Sequence, residues 1–389
     1  MKQVESGVNL RHDVRIALEK HCEAWHCSFK AVTVDNGIGI NQKSPRAQQG
    51  GATIADVARE SGFSPMTVSR VINGEKNVKD STREAVLAAV EKLKYSPNLA
   101  ARTLAGAEPI RIAMLYGNPS FAYLSRLLVG TLEQARKSHV QLIIEQCDSE
   151  QGIYDVFNDL IEGGVDGIVL SAPLCDSATV QELLEKTDVP CVGVTNWSPR
   201  GKMSVVRIDD IEAAATMTRH LTSLGHKRIG FVKGNPEQKA SPQRLIGFEM
   251  AMAEAGLPVD PALVVHGLFT YRSGLQAAEQ LLDLPDPPTA IFASNDDMAA
   301  AVITVAHRRH LDVPRDLTVC GFDDTDFALS IWPELTTIHQ PIADMSRTAV
   351  EILVERIREK RSGRTPKRVD RLLDFTFIRR ESDAAPTSK

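Results

Sequence analysis

Residues 53–106 most constrain what this chain can fold into, because their helix signals leave little freedom in how three short helices are arranged. Thr53 is placed to cap a first helix, and Asp56 three residues on puts a carboxylate at the positive helix end. Ile54, Val57 and Ala58 recur at helical spacing and make one apolar face. Ser61-Gly62-Phe63 interrupts that face, since glycine permits a turn that other residues resist. Ser64 then caps a second helix, with Pro65 at its first position, where no amide donor is lost. Val68, Val71 and Ile72 face inward, and Asn73-Gly74 supplies a left-handed stop. Ser81 and Glu84 read as a capping box opening a third helix, which buries Ala85, Val86, Ala89, Val90 and Leu93.

Two short helices joined by a glycine turn and backed by a third make a helix-turn-helix, in which the start of the second helix enters the major groove of DNA. That places Pro65, Met66, Thr67, Ser69 and Arg70 near base edges. Arg70 offers guanine a two-pronged contact, worth about 1–3 kcal/mol of discrimination, whereas Pro65 and Met66 offer only apolar contact, for example to a thymine methyl. A plain three-helix bundle is the bland alternative, and the agreement of caps, turn and periodicity argues against it. A helix over 98–104 is too short to persist alone in water, so its folding can be made conditional on a partner.

The pattern TVSRVINxxxxVxxxTRExVxxAxxxLxYxPNxxARxLAG, from Thr67 to Gly106, resembles the N-terminal pattern of the LacI/GalR (lactose-repressor) family. The resemblance implies a dimeric, sequence-specific transcriptional regulator, a repressor in most members, on a near-palindromic double-stranded operator. It implies that Pro65 and Met66 vary with operator sequence, that Arg70 is a third reader, and that Thr53, Asn73, Tyr95, Asn98 and Ala101 belong to the DNA-contacting set. It further implies a hinge helix over 97–107 that forms only on the operator, with Leu104 as a wedge in the minor groove. Wedges of this kind unstack a base step and bend the duplex. Ala100, Ala101 and Ala105 also favour close helix pairing.

Composition alone would point elsewhere. The chain carries a net charge of −5, while 53–106 is +2 and the rest −7, so the DNA reading rests on pattern and hardly on charge. At 43% hydrophobic and 24% charged over 389 residues, the chain is an ordinary globular protein of two or three domains. No apolar run reaches membrane-span length, so no membrane partner is expected, and six scattered cysteines suggest reduced thiols in a bacterial cytoplasm. Residues 1–51 read as a disordered extension without a secretory core, ending in the linker NQKSPRAQQGG, and the family pattern normally begins just before Thr53. His21-Cys22 and His26-Cys27 lack zinc-site spacing and read as coincidence, so no metal or cofactor is expected.

Beyond Gly106 apolar strand runs alternate with helices, which predicts a parallel sheet covered on both faces. The segment RIAMLYGNP (111–119) returns as RIGFVKGNP (228–236), so two α/β lobes of similar plan are the economical reading. The fold class expected is therefore an all-α helix-turn-helix domain followed by a two-lobed α/β domain. The resemblance extends here, to the family's periplasmic-binding-protein-like effector domain, whose chain crosses between lobes three times. Crossings near Arg207, Ile338 and Arg364 give a DNA-binding domain at 52–96, a hinge at 97–107, an N-lobe at 108–207 and 339–364, and a C-lobe at 208–338 and 365–381. Residues 382–389 are left as a tail.

Ligands in such sheets sit beyond the carboxyl ends of strands. Polar clusters fall there: Asn295 after AIFAS, Asp323 after VCGF, and Gln238 to Arg244 after RIGFVKGNP. A polyol needs charged and amide groups for its hydroxyls and an aromatic platform for its C–H face, the latter from Phe269, Trp197 or Tyr116. By motif, the resemblance puts Arg244 (QxxxxxRxxGF), Asp323 (GFDD) and Asn295 (SNDxMA) on effector-binding positions, with Phe269 as a stacking aromatic. Gln238 stands where purine-binding members carry a basic residue, a departure that favours a sugar or sugar derivative. The effector-binding set is thus Tyr116, Gln238, Arg244, Phe269, Asn295 and Asp323. Turn or cap roles are the bland reading for the two Asp residues after VCGF.

No phosphate-binding Gly-Lys motif, His-Glu-x-x-His or Gly-x-Ser-x-Gly elbow occurs, so no catalytic residue is assigned. A regulator controlled by a protein co-effector, or a DNA-tethered sugar-processing enzyme, are the alternatives. The first helix after 120, with Leu124, Leu127, Leu128 and Leu132, is a dimer face or core packing. No leucine heptad closes the chain, so no added tetramerising coiled coil is expected.

Overall fold

The computed structural model describes residues 52–72, 78–95, 109–147, 150–194 and 201–387. The extension 1–51, Asn73, the hinge with Asn98, Ala101 and Leu104, and Trp197 lie outside the described residues. The chain divides into two compact units, Met1–Ser96 and Pro97–Lys389.

In the first unit, helices α1 (Ile54–Ser61), α2 (Pro65–Ile72) and α3 (Asp80–Lys92) close on a small core of Val57, Val68, Val71, Val86 and Ala89. Thr53 and Asp56 form a reciprocal capping box: the Thr53 hydroxyl accepts from the Asp56 amide at 3.3 Å, and the Asp56 carboxylate accepts from the Thr53 amide at 2.9 Å. Gly62 ends α1 at φ 74°, where a side chain would be strained. The Ser64 hydroxyl accepts from the Thr67 amide at 3.2 Å and starts α2.

Two expectations fail here. No capping box opens α3, which begins at Asp80 with Lys79 at the cap and no side-chain cap bond. Ser81 is already inside the first turn, where the Asp80 carboxylate supplies the favourable charge. Ala85 is exposed, because the face set by Val86, Ala89 and Leu93 turns it outward.

The second unit holds two parallel sheets. The N-lobe sheet has β1 (Arg111–Tyr116), β2 (Gln141–Gln146), β3 (Gly167–Ser171), β4 (Cys191–Val194) and β5 (Ser204–Arg207). Helices α4 (Phe121–Ser138), α5 (Glu150–Glu162) and α6 (Ala178–Lys186) connect the first four strands. After α7 (Asp210–Ser223) the C-lobe runs β6 (Ile229–Lys233), α8 (Ala240–Glu254), β7 (Val264–His266), α9 (Tyr271–Leu282), β8 (Ala290–Ala293), α10 (Asp296–Arg308), β9 (Thr318–Cys320) and α11 (Asp326–Ser330). The chain continues through β10 (Thr337–His339), α12 (Ile342–Arg361), β11 (Asp370–Leu372) and β12 (Thr376–Ile378).

The N-lobe sheet is ordered β11-β5-β4-β3-β1-β2 and the C-lobe sheet β7-β6-β8-β9. In both, the strand of the repeated segment, β1 or β6, sits second from one edge with its successor outside it, so the strand order reverses at the same place in each lobe. The likeness reaches atoms: Asn118 accepts from the Ser120 amide at 2.9 Å, and Asn235 from the Glu237 amide at 3.0 Å, the same side-chain turn after the same strand.

The expected third crossing near Arg364 is displaced. β11 pairs with β5, so residues 365–372 belong to the N-lobe, and the chain crosses at 373–375 before β12 pairs with β10. Residues 382–386 are no loose tail either. Ser382 and Asp383 are buried, the Ser382 hydroxyl donates to Val319 O at 2.6 Å, and its carbonyl accepts from Val319 N at 2.9 Å, extending the C-lobe beyond β9. On α4, Leu124 and Leu127 are buried core while Leu132 is half exposed, so the leucines do not form one surface face.

Candidate functional site

Capping fixes which side of α2 is presented. Val68 and Val71 are buried, which leaves Pro65, Met66 (68% exposed) and Arg70 on the open side. Thr67 and Ser69 are half-buried; the Thr67 hydroxyl lies 3.0 Å from Ser64 Oγ and so belongs to the cap as well as the surface. The Thr53 hydroxyl donates to Asp56 at 2.7 Å, and Tyr95 packs partly buried against the head core, so both also have structural work.

In the second unit, strand ends converge on a cavity lined by Asn118, Ser120, Tyr123, Gln238, Arg244, Phe269, Asn295, Asp323 and Gln340, with Ala172 and Ala240. Five of the six sequence-assigned residues are among them. Tyr116 is not: its hydroxyl donates at 3.2 Å to the side chain of Gln146, its register partner on β2. The cavity measures about 30 Å³, against roughly 300–1,000 Å³ for small-molecule sites, so the lobes are shut on it.

Arg244 rises from α8, 3% exposed, with its guanidinium carbon 3.5 Å from the centroid of the Phe322 ring. Its Nε donates to Asp210 at 2.7 Å and Nη1 to the Ser294 carbonyl, and Nη1 lies 3.6 Å from Asp323 Oδ1. Asp323 holds φ 107° and accepts from Gln340 Nε2 at 3.3 Å. Burial pushes its carboxyl well above the ordinary range, against the pull of Arg244. The Phe269 ring lies against Gly234, where any Cβ would collide with it, and the Phe269 backbone is left-handed at φ 58°. Asn295 spends its amide locally: Oδ1 accepts from the Met298 amide at 3.0 Å to cap α10, and Nδ2 donates to the Phe269 carbonyl at 3.1 Å. It therefore holds Phe269 in place.

Two buried amide atoms in this lining have no partner, the Gln238 nitrogen and the Gln340 oxygen. A buried polar atom without a partner is costly, and here a donor and an acceptor are left for whatever enters. Side chains also bridge the lobes across the rim. Ser120 Oγ donates to Asp297 Oδ2 at 2.8 Å, Arg126 pairs with Asp326, and the Lys239 amide donates to Asp176 at 3.0 Å. Burial raises the Asp297 carboxyl, and the Ser120 bond opposes it.

Residues 53–98 match bacterial regulatory proteins of the lacI family, and 218–382 match a periplasmic binding protein-like domain. The chain is 36% identical over 317 residues to the HTH-type transcriptional repressor PurR of Photobacterium profundum, covering 80% of this chain and 94% of that protein. Catabolite control protein A of Priestia megaterium is 36% identical over 305 residues, 78% of this chain and 92% of that one. The chain belongs to the lacI family of bacterial regulatory proteins. Among solved structures, the complex of the transcriptional regulator CelR with cellobiose superposes with a TM-score of 0.66 at 30% identity, over 85% of this chain and 99% of that one. As a lacI-family member the chain is a DNA-binding transcriptional regulator with a helix-turn-helix and a periplasmic-binding-protein-like domain.

Motif reading missed Asn118, Ser120, Tyr123, Asp210 and Gln340. The repeat carried a signal for the first: Asn118 and Asn235 hold the same place in GNP. Gln340 lies on the connection between β10 and α12 and carries no pattern of its own.

Proposed function

We propose that this chain represses genes of carbohydrate metabolism in the bacterial cytoplasm, without catalysis, under control of a small sugar or sugar derivative held between the two lobes. The observation that carries the ligand class is the pair of unpartnered amide atoms on Gln238 and Gln340, a donor and an acceptor in one cavity. A hydroxyl donates and accepts at once, so it answers both. Arg244 and Asp323 supply polar partners for further hydroxyls, and Phe269 supplies an apolar face. The likeness to a cellobiose-binding regulator supports the same class.

On this reading Pro65, Met66 and Arg70 read a half-site, and a homodimer reads both halves of a near-palindrome about one helical turn apart. A sugar must part the lobes to enter a cavity of about 30 Å³, so the bound form differs from the shut one in lobe angle. The ligand thereby favours one of two arrangements, and its effect on DNA affinity must equal the effect of DNA on its own affinity. Calorimetry against a panel of mono- and disaccharides, followed by gel shifts on a selected duplex, tests this. A bound sugar that changes operator affinity by about 5–150-fold is expected. Silence across the panel, with intact operator binding, would replace the sugar by a protein co-effector.

A further inference from the structure

A cavity of about 500 Å³ lies at the opposite end of the N-lobe sheet from the sugar cleft. It is bounded by the residues that enter β4 and β5, the last turns of α12 and the loop before β11, so the length of β4 separates the two cavities. Its charge is one-sided: Lys202, Arg356, Lys360, Arg364 and Arg368 line it, against the single carboxylate of Asp188.

Arg356 is the centre of the argument. It is 8% exposed, yet each of its hydrogen bonds goes to a neutral acceptor: Nη1 to Ser204 Oγ at 2.8 Å and the Cys191 carbonyl at 3.1 Å, Nη2 to the Lys202 carbonyl at 3.2 Å. Its Nε is buried without a partner. These bonds fix the guanidinium plane with no carboxylate among its hydrogen-bond partners, the Glu359 charge acting only through space, a costly arrangement in a protein interior. The neighbouring cations repeat the pattern: Lys360 Nζ donates to the Asp188 carbonyl at 2.6 Å and Arg364 Nε to Ser362 Oγ at 3.1 Å, neither to a carboxylate. Lys202 pairs with the Asp188 carboxylate at 3.4 Å, and Arg368 Nε donates to the Met203 carbonyl at 2.9 Å. Leu184, Met203 and Pro366 add apolar wall, and the volume is that of a small-metabolite site.

We propose that this cavity is a second ligand site, for a small organic polyanion whose phosphate or carboxylate group pairs with Arg356, Lys360 and Arg364 and whose carbon body rests on the apolar wall. Guanidinium groups favour such planar, charge-assisted recognition. The proposal stands apart from the sugar reading and uses none of its residues.

Titration calorimetry on the full chain, with pyrophosphate and citrate as probes, tests it. The double variant Lys360→Ser/Arg364→Ser leaves every Arg356 bond in place and so avoids disturbing the strand ends. Binding of at least one probe to the wild type, weakened about tenfold or more in the double variant, is expected for loss of two charge-assisted contacts. Tighter pyrophosphate would assign a phosphate ester, and tighter citrate a polycarboxylate. Absence of heat from both probes at millimolar concentration would overturn the site. So would equal affinities in wild type and double variant, which would put the anion on another basic surface. Arg356→Met should abolish binding where circular dichroism shows it folded; retained binding in that folded variant would also overturn the assignment.

Discussion

Ser120 and Asp297 are 177 positions apart in the chain, yet the serine hydroxyl donates to the carboxylate at 2.8 Å and joins the first helix of one lobe to the first turn of α10 in the other. Both residues are buried, so this bridge between the lobes is shielded from water. Ser120→Ala removes the donor from the other lobe and leaves the Asp297 carboxylate only the longer bond from Asn295 Nδ2, at 3.3 Å, within its own lobe. The expected result is a shift toward open lobes of about 1–3 kcal/mol, seen as a larger radius of gyration in solution scattering of the ligand-free protein. An unchanged scattering curve would show that the other bridges suffice.

Gly234 lets the tip of the Phe269 ring come against the backbone, since any Cβ there would collide with it. Gly234→Ala should displace the ring into the cavity and weaken sugar binding about tenfold or more, while half-site recognition by α2 persists. Calorimetry and gel shifts on the same preparation separate the two effects, and unaltered sugar affinity would remove Phe269 from the binding surface.

Asp296 gives stability a pH dependence of definite sign. It is fully buried, accepts from the Thr325 amide and hydroxyl and from the Thr337 hydroxyl, and burial pushes its carboxyl up to about 7. With the folded value above the unfolded one, the folded protein binds more protons between about pH 4 and 7, so this group's contribution falls as pH rises through that window. Asp296→Asn can keep its oxygen toward Thr325 and donate to the Thr337 hydroxyl. Thermal unfolding from pH 5 to 7.5 should therefore be flatter in the variant than in the wild type. Parallel profiles would mean that Asp296 does not titrate there.

Arg70 is the long cation on the open side of α2. Arg70→Ala should cost about 1–3 kcal/mol of discrimination at one base pair while leaving salt-sensitive, nonspecific binding in place. Sequence selection from random duplexes with both proteins reads this directly. An identical recovered site would take Arg70 out of the reading set.

The two-lobed plan is legible because buried parallel strands are short continuous apolar runs, and GIVLS or AIFA admits few other readings. What escapes has the opposite character. β11 is Asp-Arg-Leu, exposed along its length and defined only by its pairing with β5 more than 160 positions earlier, so the expected third crossing falls too early. α12 is hard to read as a helix because charges crowd its outer face and dilute the periodicity of Met345, Ala349, Leu353 and Ile357. In the cleft, Arg244 and Asp323 stand out through their motifs. Ser120 and Gln340 become visible only once the chain has folded across itself.

The shut cleft has a kinetic corollary. With about 30 Å³ of space between Arg244 and Gln340, no sugar can dock on the closed form, so each association event must wait for spontaneous parting of the lobes. Observed rates in stopped flow should climb with sugar concentration and then level off, at one ceiling shared by every sugar that binds. That ceiling would be the opening frequency of the empty protein, a constant of the lobe contacts alone.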